Sequence, residues 1–510
     1  MKSKIKANLS VFIALLLALI HWIISFFTDH LIFQVPASAN LPDYLICKIL
    51  TLAAAFAVYY AITRIIFTKD RRNDPVCRVF FRALPYLPVL IAVVCVKLPQ
   101  GYLSNDEALI ASSALQLQHY TWFYYLTTYF YIVCFMLIPV YLGPIFIKLL
   151  IELAVIGYVI RRMEETFGKP YFYFGYVLFL LYPVIAYTTS AHRLPVYFLL
   201  YLLFVSVLLF DRMNEKSISI PKELALLLLT AILTQWRTEG IYLLVLAPIL
   251  MLFVYPRLRN KKQVLLLIVL SLFIQYLVSV PQNGLIAKEM DAAADDRMKP
   301  FYAYTITNMF RNGLDTEANA EDLAIVDRYL SLDKIREIND YYGDINYEDV
   351  LILYQEGYVG VREEADVTDF FNYAAALKRI FIHNPEVFLK TRIGAFCYAA
   401  LPYRIETGNG IVSLAVSILK SVSYNLFLPL CIIAILWVYS LFRKRWFSFF
   451  LLSGVLSHWF IVFILAPASY FKYYFPVYIT AYFYLLLLIL QTAYKHFHAT
   501  DRAIKKRVLI

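Results

Sequence analysis

Two adjacent carboxylates, Asp106 and Glu107, stand just beyond an apolar run in a chain that mostly avoids carboxylates. Outside residues 282–380 the sequence has 16 Asp plus Glu against 37 Lys plus Arg. A carboxylate at the mouth of a membrane cavity is partly desolvated and therefore more basic, which suits proton removal from a hydroxyl group. We predict Asp106 as a general base. The alternative is a helix start, because Ser104-Asn105-Asp106-Glu107 is also typical of one.

The amino-acid composition of the chain is typical of a membrane protein. Hydrophobic residues make up 61% of the 510 residues and the mean hydropathy is +0.65, whereas a soluble globular chain is about 45–50% apolar. The net charge of +11 comes from short basic clusters between apolar runs, which indicate topology signals and not a nucleic-acid interface. The six cysteines include no C-x-x-C spacing, so neither a disulfide framework nor a zinc site is predicted.

Apolar runs of about 20 residues, enough for a helix to cross about 30 Å of hydrocarbon, recur along the chain. They predict an all-α polytopic membrane protein with about 12 transmembrane helices. The predicted spans lie near 9–27, 44–67, 83–99, 144–160, 171–189, 196–210, 222–235, 241–255, 263–281, 423–442, 446–466 and 474–491.

Lys and Arg clusters favour the cytoplasmic side of a membrane. Placing both termini in the cytoplasm puts the basic loops there and leaves Asp106 and Glu107 on the outer side. The apolar stretches 121–142 and 388–403 are predicted as interfacial or re-entrant elements, since their crossing would move basic loops outside. If both cross, the chain has 14 transmembrane helices.

Residues 282–380 interrupt this pattern, because they carry 20 of the 36 acidic residues and 10 basic ones. Apolar positions at helical spacing in residues 319–330 predict short helices, so the insert is expected to be mainly helical and water-exposed on the outer side. The chain is accordingly divided into an N-terminal transmembrane region (1–281), an extracytoplasmic domain (282–410) and a C-terminal transmembrane region with a basic cytoplasmic tail (411–510).

An Asp-Glu pair in an outer loop, followed by an amphipathic segment (108–118) and many apolar spans, resembles the GT-C superfamily of integral-membrane glycosyltransferases. Protein O-mannosyltransferases and the aminoarabinose transferase that modifies lipid A belong to it. The resemblance covers residues 83–281 and, more loosely, 420–491. It implies a GT-C-like fold, a polyprenyl-phosphate sugar as donor, and an acid in the first outer loop as base or metal ligand. The next outer loop, 190–195, has no acid, so no metal ligand set is predicted and a divalent metal stays an open alternative.

Such a transferase needs cations at its leaving group, because breaking a sugar–phosphate bond builds negative charge on the lipid phosphate. Basic residues are rare in the predicted outer loops, and the candidates to bind the donor phosphate are Arg193, Arg237, Arg404 and Lys472. The alternative for each is a charge at the membrane interface, or an ion pair such as Arg237 with Glu239. Lys148 and Glu152, at i and i+4 within an apolar run, are predicted to neutralise each other.

These features predict an integral membrane glycosyltransferase of the bacterial cell membrane. It transfers a sugar from a polyprenyl-phosphate carrier to a hydroxyl of a glycan, lipid or protein acceptor on the outer side. Asp106 is the predicted base, and Glu107 orients it or replaces it. Direct displacement with inversion is the simplest mechanism. Two alternatives stay open: a transporter or flippase for lipid-linked sugars, and a polysaccharide polymerase.

Overall fold

The computed structural model describes residues 2–68, 70–97, 105–120, 123–188, 193–282, 298–342, 360–403, 405 and 410–497. Most residues in these ranges are helical, and the extended backbone within them includes an isolated antiparallel bridge between Leu330 and Val361. The predicted all-α class is confirmed for the described part of the chain.

The α-helices of these ranges follow one another through short turns and loops. In chain order they are α1 (Lys2–Thr28), α2 (Leu41–Phe67), α3 (Pro75–Ala83), α4 (Leu87–Lys97), α5 (Asn105–Leu115), α6 (Tyr125–Leu137), α7 (Gly143–Phe167), α8 (Gly175–Phe179), α9 (Tyr182–Thr188), α10 (Leu194–Met213), α11 (Ile220–Trp236), α12 (Leu243–Val254), α13 (Lys261–Val280), α14 (Lys299–Arg311), α15 (Ala320–Tyr329), α16 (Leu332–Tyr342), α17 (Val367–His383), α18 (Pro385–Ala400), α19 (Ile411–Ser423), α20 (Phe427–Phe442), α21 (Trp446–Leu465) and α22 (Phe475–Phe497).

The helices form two compact units. The first comprises Met1–Ile286, Ile432–Gly454 and Ile479–Ile510, and the second comprises Ala287–Cys431 and Val455–Tyr478. Three of the four unit boundaries fall within α20, α21 and α22. The three regions expected from composition stay a prediction.

Nine helical segments of the described ranges are long and apolar enough to cross a membrane. They are Leu9–Leu31, Ala37–Phe67, Pro75–Val96, Gly143–Phe167, Leu194–Met213, Lys261–Val280, Ile411–Phe442, Trp446–Leu465 and Phe471–Phe497. These lengths and compositions fit an integral membrane protein surrounded by lipid. The predicted count of 12 or 14 crossings stays a prediction, as do the bacterial origin and the cytoplasmic termini.

One predicted span, 171–189, does not form a single helix. Its described residues fold as a 3-10 turn (Tyr171–Phe174) followed by α8 and α9, with a break at 180–181. Pro183 lacks an amide hydrogen and restricts the residue before it, so it favours the first turn of a new helix over the continuation of α8. The 13 residues of α6 form an apolar helix shorter than a bilayer crossing needs, and the segment Thr238–Val254, in the region of the predicted span 241–255, is also short. The re-entrant element predicted at 121–142 stays a prediction.

Helix α3 begins at an aspartate cap. Asp74 accepts the amide hydrogens of Val76 (2.9 Å) and Cys77 (3.0 Å), and its carboxylate also pairs with Arg64 near the end of α2. Burial alone would raise the pKa of Asp74, but the Cys77 amide and the Arg64 guanidinium together hold it below its usual range. The cap therefore ties α2 to α3 at one end of the first unit.

Asp211, near the end of α10, lies at the same end of that unit and is fully buried. Its Oδ1 accepts a hydrogen bond from Arg162 Nη2 of α7 at 3.0 Å, and its Oδ2 accepts from Lys222 of α11 and from the Tyr255 hydroxyl. A buried carboxylate is tolerated only when cations and donors surround it in this way. Asp211 therefore joins α7, α10 and α11 through one shared anion.

Replacing Asp211 with asparagine is expected to lower the free energy of unfolding by about 3 kcal/mol, because the buried Arg162 loses the closer of its two carboxylate partners, the other being Glu165 at 3.7 Å. The apparent melting temperature of the purified protein in detergent measures the effect. Glu215→Gln, an exposed change at the same end, is the matched control. Equal melting temperatures of Asp211→Asn and wild type would refute the role of this cluster.

Candidate functional site

The acidic pair lies in the first turn of α5, at the opposite end of the first unit from Asp211. Glu107 is the third residue of that helix and is 1% exposed. Its Oε1 accepts the backbone N–H of Arg193, the residue that precedes α10. The side chain of Asp106 lies outside the described part of the chain. The helix start predicted as an alternative is therefore present, and the second acid of the pair is a buried anchor.

The position of Glu107 is electrostatically favourable. The amide hydrogens at the start of a helix lack intrahelical acceptors, and that end of the helix carries a partial positive charge. Glu107 lies in the first turn of α5 and accepts an amide at the start of α10. Its carboxylate therefore occupies the kind of position where helices bind anions.

Two buried side chains of neighbouring helices complete the surroundings of this carboxylate. Tyr131 of α6 and Lys148 of α7 are 0% and 2% exposed, and the negative charge of Glu107 favours the charged form of Lys148. Lys148 Nζ donates to the Tyr131 hydroxyl at 3.3 Å. We call Glu107, Tyr131, Lys148 and Arg193 the Glu107 cluster. It brings one carboxylate and two cations together where a bilayer offers little water to screen them.

The side chain of Arg193 stacks on an aromatic ring. Its Cζ lies 3.4 Å from the centre of the Phe123 ring, a favourable position for a guanidinium. The backbone of Arg193 is held as well, since its carbonyl accepts the Trp236 indole N–H at 3.2 Å. Trp236 ends α11, so the starts of α5 and α10 and the end of α11 meet at Arg193.

Arg237 follows Trp236 directly and pairs within its own turn. Its Nη2 and Nε lie 2.5 Å and 3.1 Å from the two carboxylate oxygens of Glu239, in bidentate geometry. The ion pair considered as an alternative for this arginine is therefore present. Gly240 lets the turn pack closely, because a Cβ there would lie 2.6 Å from the Leu233 carbonyl oxygen.

Two further cations, Lys472 and Arg404, were predicted to bind the donor phosphate. Lys472 belongs to the second unit, where it is half-buried with Nζ 4.6 Å from the centre of the Tyr470 ring. Arg404 lies outside the described residues. The structure thus brings together Glu107 and Arg193, sets Arg237 one residue beyond Trp236, and leaves the roles of Lys472 and Arg404 as predictions.

Two buried cations lie outside the set of site residues predicted from the sequence. Lys148 is one of them: its pairing with Glu152 stays a prediction, and its charge also interacts with that of Glu107. Arg392 of α18 is 1% exposed in the second unit, where it donates to the carbonyl oxygens of Phe463 (2.6 Å) and Ala466 (2.9 Å) at the end of α21. In the sequence, each of these two residues stands out only as a charged side chain within an apolar stretch. That feature indicates a buried charge but does not identify the group that the charge contacts.

The described residues contain no group of three or more His, Cys, Asp or Glu side chains placed to hold a metal ion. What the Glu107 cluster offers is an anchored carboxylate with cationic side chains beside it. Such a site can orient an acidic neighbour and bind an anionic group.

Glu107→Gln is expected to lower the free energy of unfolding by about 3 kcal/mol, since a buried anion among cations is lost. Lys148→Met should also destabilise the protein. Because the two charges interact, the double variant should recover about 1 kcal/mol or more relative to the sum of the single losses. Melting temperatures of the four proteins measure this cycle, and strictly additive losses would show that the two residues do not interact.

Comparison of the chain with protein-family models, with curated proteins and with solved structures finds no match. Its function is therefore inferred from its own residues and their geometry.

Proposed function

We propose that this protein is a membrane glycosyltransferase of the GT-C type, which moves a sugar from a polyprenyl-phosphate carrier to an acceptor hydroxyl on the extracytoplasmic side. The observation that carries the proposal is the bond between the Glu107 carboxylate and the Arg193 backbone amide. It fixes the start of α5, where Asp106 lies, beside the start of α10. The proposed base, Asp106, and the proposed phosphate-binding cation, Arg193, then come from the place where the starts of α5 and α10 meet.

The reaction requires one proton transfer and one displacement. Asp106 accepts the proton of the acceptor hydroxyl, and the oxygen attacks the anomeric carbon of the donor sugar. The bond between that carbon and the phosphate oxygen breaks, and polyprenyl phosphate leaves with the bonding electron pair. One positioned base suffices for this inverting displacement.

The roles of the two acids follow from their surroundings. Glu107 is buried and already accepts the Arg193 amide, so we assign it to positioning and leave the proton transfer to Asp106. Arg193, anchored through its amide and its carbonyl, is the first choice for the donor phosphate. Arg237, Lys472 and Arg404 are proposed to assist, and Arg237 would do so with its charge shared with Glu239.

A transporter or flippase for lipid-linked sugars is the second candidate, and broken helices favour it. Transporters bind substrates where membrane helices are interrupted. Here α6 is a short apolar helix and residues 171–188 form separate short helices. A protein of this class would bind the same donor phosphate without cleaving the sugar bond.

Replacing Asp106 with asparagine tests the transferase directly. Purified wild type and variant are incubated with a panel of polyprenyl-phosphate sugars and an acceptor mixture, and released polyprenyl phosphate is measured. Loss of general-base catalysis should reduce release by about 100-fold or more. Asp70→Asn, a conservative change of an exposed acid in the α2–α3 loop, is the control and should leave the rate unchanged.

Release by Asp106→Asn at the wild-type rate would contradict the base assignment. Donor binding by wild type without release of polyprenyl phosphate from any donor would reject the transferase and support the transporter.

A further inference from the structure

A second buried carboxylate, Asp43 in the first turn of α2, gathers donors from three parts of the first unit. Its Oδ2 accepts from Asn40 Nδ2 at 2.8 Å and lies 2.7 Å from His119 Nε2, while its Oδ1 accepts the Tyr129 hydroxyl. These donors belong to the turn before α2, the loop after α5, and α6. The Asp43 side chain is 6% exposed, so water contributes little to holding it.

The orientation of the His119 imidazole depends on its contact with the Asp43 carboxylate. Its side chain is 9% exposed, and Nδ1 makes no hydrogen bond to the described residues. Its ring also packs against Tyr129, with the centroids 5.3 Å apart. Since Nε2 supplies the ring's hydrogen bond, Asp43 fixes the orientation of His119, as carboxylates do for functional histidines.

The same region fixes the end of α5, the helix that begins with the acidic pair. Gln34 N donates to the Leu115 carbonyl at 2.8 Å, and Asn40 Nδ2 donates to the Leu117 carbonyl at 2.9 Å. Leu117 has φ 53°, a left-handed conformation that costs a leucine energy and needs support from its neighbours. An 11-residue helix is too short to be stable alone, so these contacts determine where α5 lies.

From His119 a short series of contacts reaches the Glu107 cluster. Tyr120, the next residue, packs on Phe123 with ring centroids 5.4 Å apart. The Phe123 ring lies under the Arg193 guanidinium at 3.4 Å, and the Arg193 amide meets Glu107. Asp43 is thus connected to both ends of α5.

We propose that Asp43 and His119 form a positioning pair that holds α5 and Phe123 so that Arg193 faces the donor phosphate. The pair touches neither donor nor acceptor, and its catalytic role rests on the proposed function. The chain contains a matched control in Asp29. This acid is also largely buried at the same end of the unit, but its carboxylate bonds to Lys48 (2.7 Å) and Tyr44 (2.6 Å), both on α2.

The test compares Asp43→Asn with Asp29→Asn by two measurements. Hydrogen exchange of peptides from 193–200 should quicken at least roughly threefold in Asp43→Asn and stay at the wild-type rate in Asp29→Asn. In the release assay, the KM for the donor should rise roughly tenfold in Asp43→Asn while kcat changes less than about threefold, as expected when a phosphate-binding group moves. His119→Gln keeps an N–H donor and should retain a KM near wild type, whereas His119→Leu should not.

The outcomes separate the two proposals. Unchanged exchange in Asp43→Asn, or equal KM changes in Asp43→Asn and Asp29→Asn, would overturn the positioning pair whether or not the transferase stands. If wild type releases no polyprenyl phosphate, the transferase fails, and the exchange measurement still decides whether Asp43 positions Arg193.

Discussion

The described site depends on the interactions of one buried carboxylate, that of Glu107. Because this side chain is shielded from water, its negative charge must be stabilised by the protein, and an amide at the start of α10 and nearby cations do so. That requirement joins α5, α6, α7 and α10, elements that local sequence preferences would not bring together. Any function of Asp106 therefore rests on where Glu107 fixes the first turn of α5.

The first unit satisfies the same physical requirement differently at its two ends. Both carboxylate oxygens of Asp211 accept hydrogen bonds from side chains, which belong to α7, α11 and Tyr255. This arrangement stabilises the fold. Glu107 instead engages the backbone of Arg193, whose guanidinium lies over Phe123. Because the backbone of Arg193 is anchored and its guanidinium is held on an aromatic ring, this residue is suited to bind an anionic ligand.

The sequence allowed the class and several local features to be predicted, because these depend on nearby residues. Long apolar runs predicted membrane helices, the Ser-Asn-Asp-Glu pattern predicted the start of α5, and Glu239 two residues after Arg237 suggested their ion pair. The contacts of Glu107 with Arg193 and of Asp43 with His119 join residues 86 and 76 positions apart. They depend on helix packing, which composition and spacing do not determine. The break at 180–181 was missed because a proline within an apolar run changes the helix without changing its hydropathy.

The proposed function requires that the end of the first unit that carries Glu107 faces away from the cytoplasm. In a protein whose own cysteines are replaced by alanine, Asn105→Cys at the start of α5 and Asn73→Cys in the exposed loop before α3 mark the two ends. A membrane-impermeant maleimide added to intact cells should label position 105, and should label position 73 only after permeabilisation. Labelling of position 73 in intact cells with protection of position 105 would contradict the orientation and the extracytoplasmic transferase.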